Sequence, residues 1–202
     1  MLIRLRNCCR KQVPYPANGG DEYQICRFES PGRHVDPQQH SQSWKQHPVH
    51  LPCVDRFTAQ NKPQLANLGI THVLNAAHGP RHIDTGPRFY NDANIEYHGV
   101  EASDCKDFDL RPFFRDAAEF IHVALRQQGK VLVHCARGIS RSATLVLAYL
   151  MLREGLTLVE ALEAVRRHRN ILPNAGFLNQ LRQLDASLAR QRNKGQIALP
   201  EK

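Results

Sequence analysis

Residues 131–151 read VLVHCARGISRSATLVLAYLM. The run begins with apolar and β-branched residues, breaks into a short stretch holding a cysteine, a glycine and two arginines, and turns apolar again. A short β-branched run of this kind suits a strand buried on both faces. The next segment, SRSATLVLAYLMLREG, is apolar almost all round at helical spacing and stops at Gly155, which reads as a buried helix with a glycine terminator. Residues 135–141 are therefore expected in a tight strand-to-helix turn. Strand, turn and helix together predict an α/β layered domain.

Such a turn has chemical consequences. The first turn of a helix presents backbone N–H groups without intrahelical partners and a partial positive charge. A loop curled around that end is an anion site, suited to a phosphate. Gly138 can take the backbone angles a tight curl needs, and Arg141 adds a planar fork that matches two phosphate oxygens. Cys135 would sit at the base. The donors that hold a phosphate also stabilise a thiolate, moving a cysteine from about 8.5 toward roughly 3.5–7.5. The expected result is a nucleophile ionised at neutral pH and aimed at bound phosphorus, with no metal or cofactor needed to stabilise charge. A buried structural cysteine at a strand end would not require Gly138 and Arg141 beside it.

Residues 1–45 are rich in Pro, Gly, Gln, Arg and His without an apolar period, and are expected to be a disordered N-terminal segment. Residues 46–190 are expected to form a single domain and 191–202 a basic, polar tail. Within the domain, FTAQNKPQLANLG reads as one helix with Leu65 and Leu68 on a face and Gly69 as its stop. ITHVLNAA and IEYHGVEA read as strands separated by a long loop over 78–94. DFDLRPFFRDAAEFIHVALRQQG reads as an amphipathic helix with Phe113, Ala117, Phe120 and Ala124 on one face. TLVEALEAVRRHR opens with a capping box, Thr157 to Glu160. A last helix starts near Asn174 and carries Phe177, Leu178, Leu181 and Leu184.

The formal net charge of +8 permits acidic partners, phosphorylated protein among them, without choosing nucleic acid or an anionic surface. No run is long and apolar enough to span a membrane. MLIRLRNCCRK carries charges inside its only apolar stretch and does not read as a signal peptide. Cys8, Cys9, Cys26, Cys53, Cys105 and Cys135 show neither zinc-type pairs nor a dense disulfide framework, which fits a reducing location, cytoplasmic and also nuclear. Cys8-Cys9, beside Arg4, Arg6, Arg10 and Lys11, is a possible palmitoylation site, two thiols in a tail being the simpler reading.

HCARGISRS matches the pattern HCxxGxxR[ST], and on these residues the chain resembles the cysteine-dependent protein tyrosine phosphatase superfamily. LGITHVLNAA, FYNDANIEYHGVEASD, ATLVLAYLM, LTLVEALEAVRRHRNILPNAGFLNQL and QLD extend the resemblance from about residue 57 to 190. They narrow it to the small atypical dual-specificity phosphatases, the group of the Vaccinia H1-related enzyme. The resemblance implies an α/β, protein tyrosine phosphatase-like fold. Its central sheet is mixed and mostly parallel, is flanked by helices, and carries the phosphate cradle on a strand-loop-helix unit. It implies hydrolysis of phosphotyrosine and phosphoserine/phosphothreonine through a phosphocysteine. Cys135 would be the nucleophile, and Ala136, Arg137, Gly138, Ile139, Ser140 and Arg141 would surround the phosphate. Ser142 would hydrogen-bond the sulfur, and His134 would help set the thiolate through its hydrogen bonds. A general acid is also needed, because the departing oxygen must be protonated. EASDCKDFD holds Asp104, Asp107 and Asp109. The family pattern places the acid at Asp104, leaving Asp107 as surface charge and Asp109 as a helix cap.

Arg137 at the mouth and Arg169 in RRHRNILPN are candidates to hold a second phosphate, and His82 in HGPRHIDTGPRFY is a further substrate-binding candidate. The partners implied are phosphorylated proteins, with MAP kinases the family-based expectation and no nucleic acid. The same chemistry could serve a phosphoinositide or an RNA 5′-phosphate, although the loop contains no lysine. A kinase-binding scaffold with incidental activity is the reading from another class. In one place the chain departs from the pattern. HPVHLPCVDRF stands where the family opens its domain with a strand ending in Gly-Asp, yet Val54 occupies the glycine position and Pro52 sits inside the would-be strand. The first strand is therefore not expected to form cleanly. Cys105, beside Asp104, could form a reversible disulfide with Cys135, an incidental cysteine being the simpler reading.

Overall fold

The computed structural model describes residues 53–80 and 82–196. The expected disordered segment 1–45, with Cys8-Cys9, and Pro52 lie outside the described residues. Strands β1 (Cys53–Val54), β2 (His72–Asn75), β3 (Glu96–Gly99) and β4 (Val131–His134) form one sheet in the order β1-β4-β2-β3, and each neighbouring pair is parallel. Helices α1 (Arg56–Gln60) and α2 (Lys62–Leu68) join β1 to β2, α3 (Pro87–Tyr90) lies between β2 and β3, and α4 (Phe114–Arg126) joins β3 to β4. The chain closes with α5 (Arg141–Arg153), α6 (Leu158–Arg166) and α7 (Ala175–Gln196). The α/β expectation holds.

Alternation along β4 explains the layering. Val131 and Val133 join a cluster with Ile121 and Ala124 of α4 and with Leu145, Leu147 and Leu150 of α5. Leu132 points to the other face, where Val54, Ala59, Leu65, Val73 and Tyr90 make a second cluster. A strand covered on both faces has no polar side to show, which is why its apolar residues run on without alternation. Helix α5 is buried from Arg141 through Met151 and packs against α4, α6 and α7, so its all-round apolar sequence is that of a central helix. The capping box of α6 is present in full: Glu160 N donates to Thr157 Oγ1 at 3.3 Å and Thr157 N donates to Glu160 Oε2 at 2.9 Å.

Several expectations are corrected. The helix read over 57–69 is two helices broken at Asn61, because Pro63 has no N–H to give the Ala59 carbonyl and its ring would crowd that carbonyl in a continuous helix. Asn61 Oδ1 instead accepts from Gln64 N at 3.2 Å to start α2, while the Tyr90 hydroxyl donates to Ala59 O at 2.8 Å. The 78–94 loop thus contains α3, whose Tyr90 is fully buried. The buried stripe of α4 runs through Phe114, Ala117, Ala118, Ile121, Ala124 and Leu125, with Phe113 and Phe120 only partly covered. The expected tail 191–202 begins inside α7, which continues to Gln196. The doubted first strand does form at the edge of the sheet, and in its described part Cys53 pairs with Val133 and Val54 with His134.

His134 is fully buried, and neither ring nitrogen makes a hydrogen bond among the described residues. Burial pushes its imidazole down to about 4, against the Cys135 backbone and the Asp55 carboxylate, which favour the charged form. Burial also lowers His72 and His98. An unfolded chain takes up protons on these rings below its ordinary value of about 6.5, where the folded one does not, so stability is present above that pH and is lost as pH falls toward 4. Between pH 7.5 and 5, His134 alone should remove about 2 kcal/mol. Urea unfolding followed by circular dichroism at the two pH values checks this, and His134→Asn should flatten the difference.

Candidate active site

Because the strands are parallel, the loops after β3 and β4 leave the same edge of the sheet, outside the carboxyl ends where α/β folds gather their ligands. Residues 135–140 form the loop after β4, and its N–H groups turn inward. Gly138 N donates to Cys135 Sγ at 3.2 Å, and the backbone N–H groups of Arg137 and Ser142 also act on the sulfur. The Ser142 hydroxyl donates to Sγ at 3.3 Å.

A loop with inward N–H groups turns its carbonyls outward, where each needs a donor. Ala136 O accepts from Arg56 N at 3.5 Å, Gly138 O from Arg169 Nε at 3.4 Å and Ile139 O from Leu172 N at 3.0 Å. Ser140 O accepts from Thr144 Oγ1 at 2.8 Å and Thr144 N at 2.9 Å. Gly138 is required twice over. Its φ is +68°, and a Cβ there would lie 2.6 Å from the Val54 carbonyl, which itself accepts from Cys135 N at 3.4 Å.

These groups decide the ionisation of Cys135. Burial alone would raise the thiol, but the Ser142 hydroxyl and N–H, the charge of Arg141 and the Arg137 N–H outweigh it, and the net shift is downward. Arg141 is itself buried. Its Nη1 donates to Ala102 O at 2.9 Å, and its Nε has no hydrogen-bond acceptor among the described residues. Such a buried donor is costly to leave unpaired and would be satisfied by an oxyanion over the loop.

The loop after β3 brings Asp104 to the same place. Its Oδ1 accepts from Ser140 Oγ at 2.7 Å and from Asn174 Nδ2 at 3.0 Å, and its Oδ2 lies 3.9 Å from Arg141 Nε. Asp109 instead accepts from Arg111 N at 3.1 Å and from its guanidinium, as a local cap, and Asp107 is exposed. Asn174 does three jobs at once. Its Nδ2 holds Asp104, its Oδ1 accepts from Phe177 N at 3.0 Å to cap α7, and its own N–H donates to Ser140 Oγ at 3.2 Å. Two residues on, a Cβ on Gly176 would collide with the Lys106 backbone. Gln180, one turn further, donates to Phe108 O at 2.7 Å and accepts from Leu110 N at 2.9 Å. The first two turns of α7 therefore clamp the loop that carries Asp104.

Cys135, Arg141, Ser142, Ser140, Gly138 and Asp104 are thus brought together, and Arg169 is tied to the loop by its guanidinium. Arg137 is exposed on the loop. His82 is exposed and makes no hydrogen bond to the loop among the described residues. His134 lies buried next to Cys135, and its imidazole is pushed down by burial against the opposing pull of the Cys135 backbone. No disulfide links Cys53, Cys105 and Cys135. The clamp of Asn174, Gly176 and Gln180 was not foreseen. PNAGFLNQL announces a capped helix, but nothing local in it names the loop that the helix grips.

Comparison with known proteins agrees with this geometry. The family Dual specificity phosphatase, catalytic domain matches residues 54–187. Dual specificity protein phosphatase 13B of Homo sapiens is 54% identical over 138 residues, 68% of this chain and 70% of that protein. The crystal structure of human DUSP28 superposes with a TM-score of 0.61 at 29% identity, covering 69% of this chain and 96% of the other. A mouse putative dual specificity phosphatase solved with zinc tungstate gives 0.61 at 29% identity, covering 70% and 87%. With the sulfur cradle on β4, the carboxylate after β3 and a matched family spanning both, the chain belongs to the dual specificity phosphatases, cysteine-based protein phosphatases of the protein tyrosine phosphatase superfamily.

Proposed function

We propose that in this phosphatase Cys135 is the nucleophile, Asp104 the general acid and base, and Arg141 with the N–H groups of 136–141 the holder of the phosphoryl oxygens. The observation that carries the reading is the convergence of Gly138 N at 3.2 Å and Ser142 Oγ at 3.3 Å on a sulfur whose thiol is shifted downward. In the first step the Cys135 thiolate attacks phosphorus in line, the S–P bond forms, and the ester P–O bond breaks. The leaving oxygen takes the proton of Asp104. With Oδ1 held by Ser140 and Asn174, Oδ2 carries that proton. In the second step the Asp104 carboxylate takes a proton from water, the water oxygen attacks phosphorus, and the S–P bond breaks. The Ser142 hydroxyl then stabilises the departing thiolate, and inorganic phosphate leaves. Arg141 Nε, which has no hydrogen-bond acceptor among the described residues, supports the charge-holding role, being ready to donate to the oxygen that gains charge in each transition state.

The substrates are phosphoproteins. We read Arg137 and Arg169 as the second-phosphate contacts of a doubly phosphorylated segment, of the sort a MAP kinase could present. Arg169 Nε already reaches the loop at Gly138 O.

Three outcomes test the reading. Hydrolysis of para-nitrophenyl phosphate should be abolished in Cys135→Ser. In Asp104→Asn it should fall about 100-fold or more on esters of basic alcohols, and far less on esters of acidic phenols that leave without a proton. Iodoacetamide alkylation of Cys135 should follow an apparent pKa below the ordinary value of about 8.5, and Ser142→Ala should move it up. Arg137→Glu and Arg169→Ala should each lower kcat/KM about tenfold on a bisphosphorylated peptide and less on its monophosphorylated twin, whereas equal losses would sink the second-phosphate contact.

A further inference from the structure

The phosphate loop's outward carbonyls recruit two chain segments, and each carries an exposed apolar side chain next to its contact with the loop. Arg56 N meets Ala136 O, and the next residue, Phe57, is 67% exposed. Leu172 N meets Ile139 O, and Leu172 is 64% exposed. Among the described residues these are the most exposed large hydrophobics. Val159 and Val123, the other two, lie within α6 and α4, segments that make no backbone hydrogen bond to the loop. A single exposed apolar residue is ordinary. Two that each lie within one residue of a hydrogen bond to the same loop are concentrated on the segments that brace it.

Each segment also pairs its apolar residue with an arginine. The Arg56 guanidinium lies 4.9 Å from the centre of the Phe57 ring and covers one of its faces. Arg169 precedes Leu172 by one helical turn's length of chain and donates to Gly138 O at 3.4 Å. The two segments anchored to the phosphate loop therefore each carry a basic and an exposed apolar side chain, and are here taken as the rim of the site. A phosphate or a lipid head group would use the arginines and leave Phe57 and Leu172 in water. A peptide uses both, because its backbone carries side chains out to either side of the phosphorylated residue.

We propose that Phe57 and Leu172 are specificity residues for protein substrates, selecting a phosphorylated residue flanked by large apolar side chains. This rests on the phosphatase reading and refines it. Covering a leucine-sized side chain at each contact corresponds to about a five- to tenfold gain in kcat/KM.

The test uses the full chain and two phosphopeptides that differ only at the residues flanking the phosphorylated one, leucine in one and serine in the other, with para-nitrophenyl phosphate as a substrate too small to reach the rim. Wild type should favour the leucine-flanked peptide by at least five- to tenfold. Phe57→Ser and Leu172→Ser should each lose about five- to tenfold on that peptide and less than twofold on the serine-flanked one and on para-nitrophenyl phosphate. Equal use of the two peptides by wild type, or equal losses on both in the variants, overturns the rim while leaving the phosphatase intact. If para-nitrophenyl phosphate is cleaved and neither peptide is, both the rim and the protein-phosphatase reading fall.

Discussion

The structure depends on one backbone constraint. A loop that gathers its N–H groups around an anion cannot also satisfy its own carbonyls, because the two ends of each peptide point opposite ways. Residues 136–140 meet this constraint with donors drawn from separate parts of the chain: α1 through Arg56, the segment between α6 and α7 through Arg169 and Leu172, and α5 through Thr144. The segments that build the rim of the site are the same ones that hold the loop in shape. Gly138 adds a further tie, where only its lack of a side chain lets the loop lean on the Val54 carbonyl.

The second requirement is that a carboxylate arrive from elsewhere. Parallel strands deliver it, since the ends of β3 and β4 face the same way with only β2 between them. Delivery alone leaves Asp104 on an exposed loop. Its precision comes from α7, where Asn174, Gly176 and Gln180 each take hold of a different point between 104 and 110. Ser140 joins the two halves, because its hydroxyl gives to Asp104 and accepts from Asn174.

How much could be read from sequence depends on how local each signal is. The strand-loop-helix of 131–151, the Gly69 and Gly155 stops and the Thr157–Glu160 box are decided by residues a few positions apart, and they stand where they were expected. The break at Asn61 is equally local, but its signal, the proline at 63, is outweighed in the pattern by the apolar spacing of Leu65 and Leu68. Asn174 bonds Asp104 across 70 positions and Gln180 bonds Phe108 across 72, and no periodicity carries such pairings. His134 shows the opposite limit. Its neighbours in sequence invite a polar role, whereas its position in the strand buries it fully.

Strand β1 couples catalysis to one edge of the described sheet. Among the described residues it pairs with β4 alone, and Cys135 N and the Gly138 backbone both rest on its Val54 carbonyl. An edge strand can open locally while α5 and the apolar layer around it stay closed. The molecule is then divided into a robust core and a labile catalytic margin. Under mild stress, activity would be surrendered as a local, reversible event well before the domain as a whole unfolds.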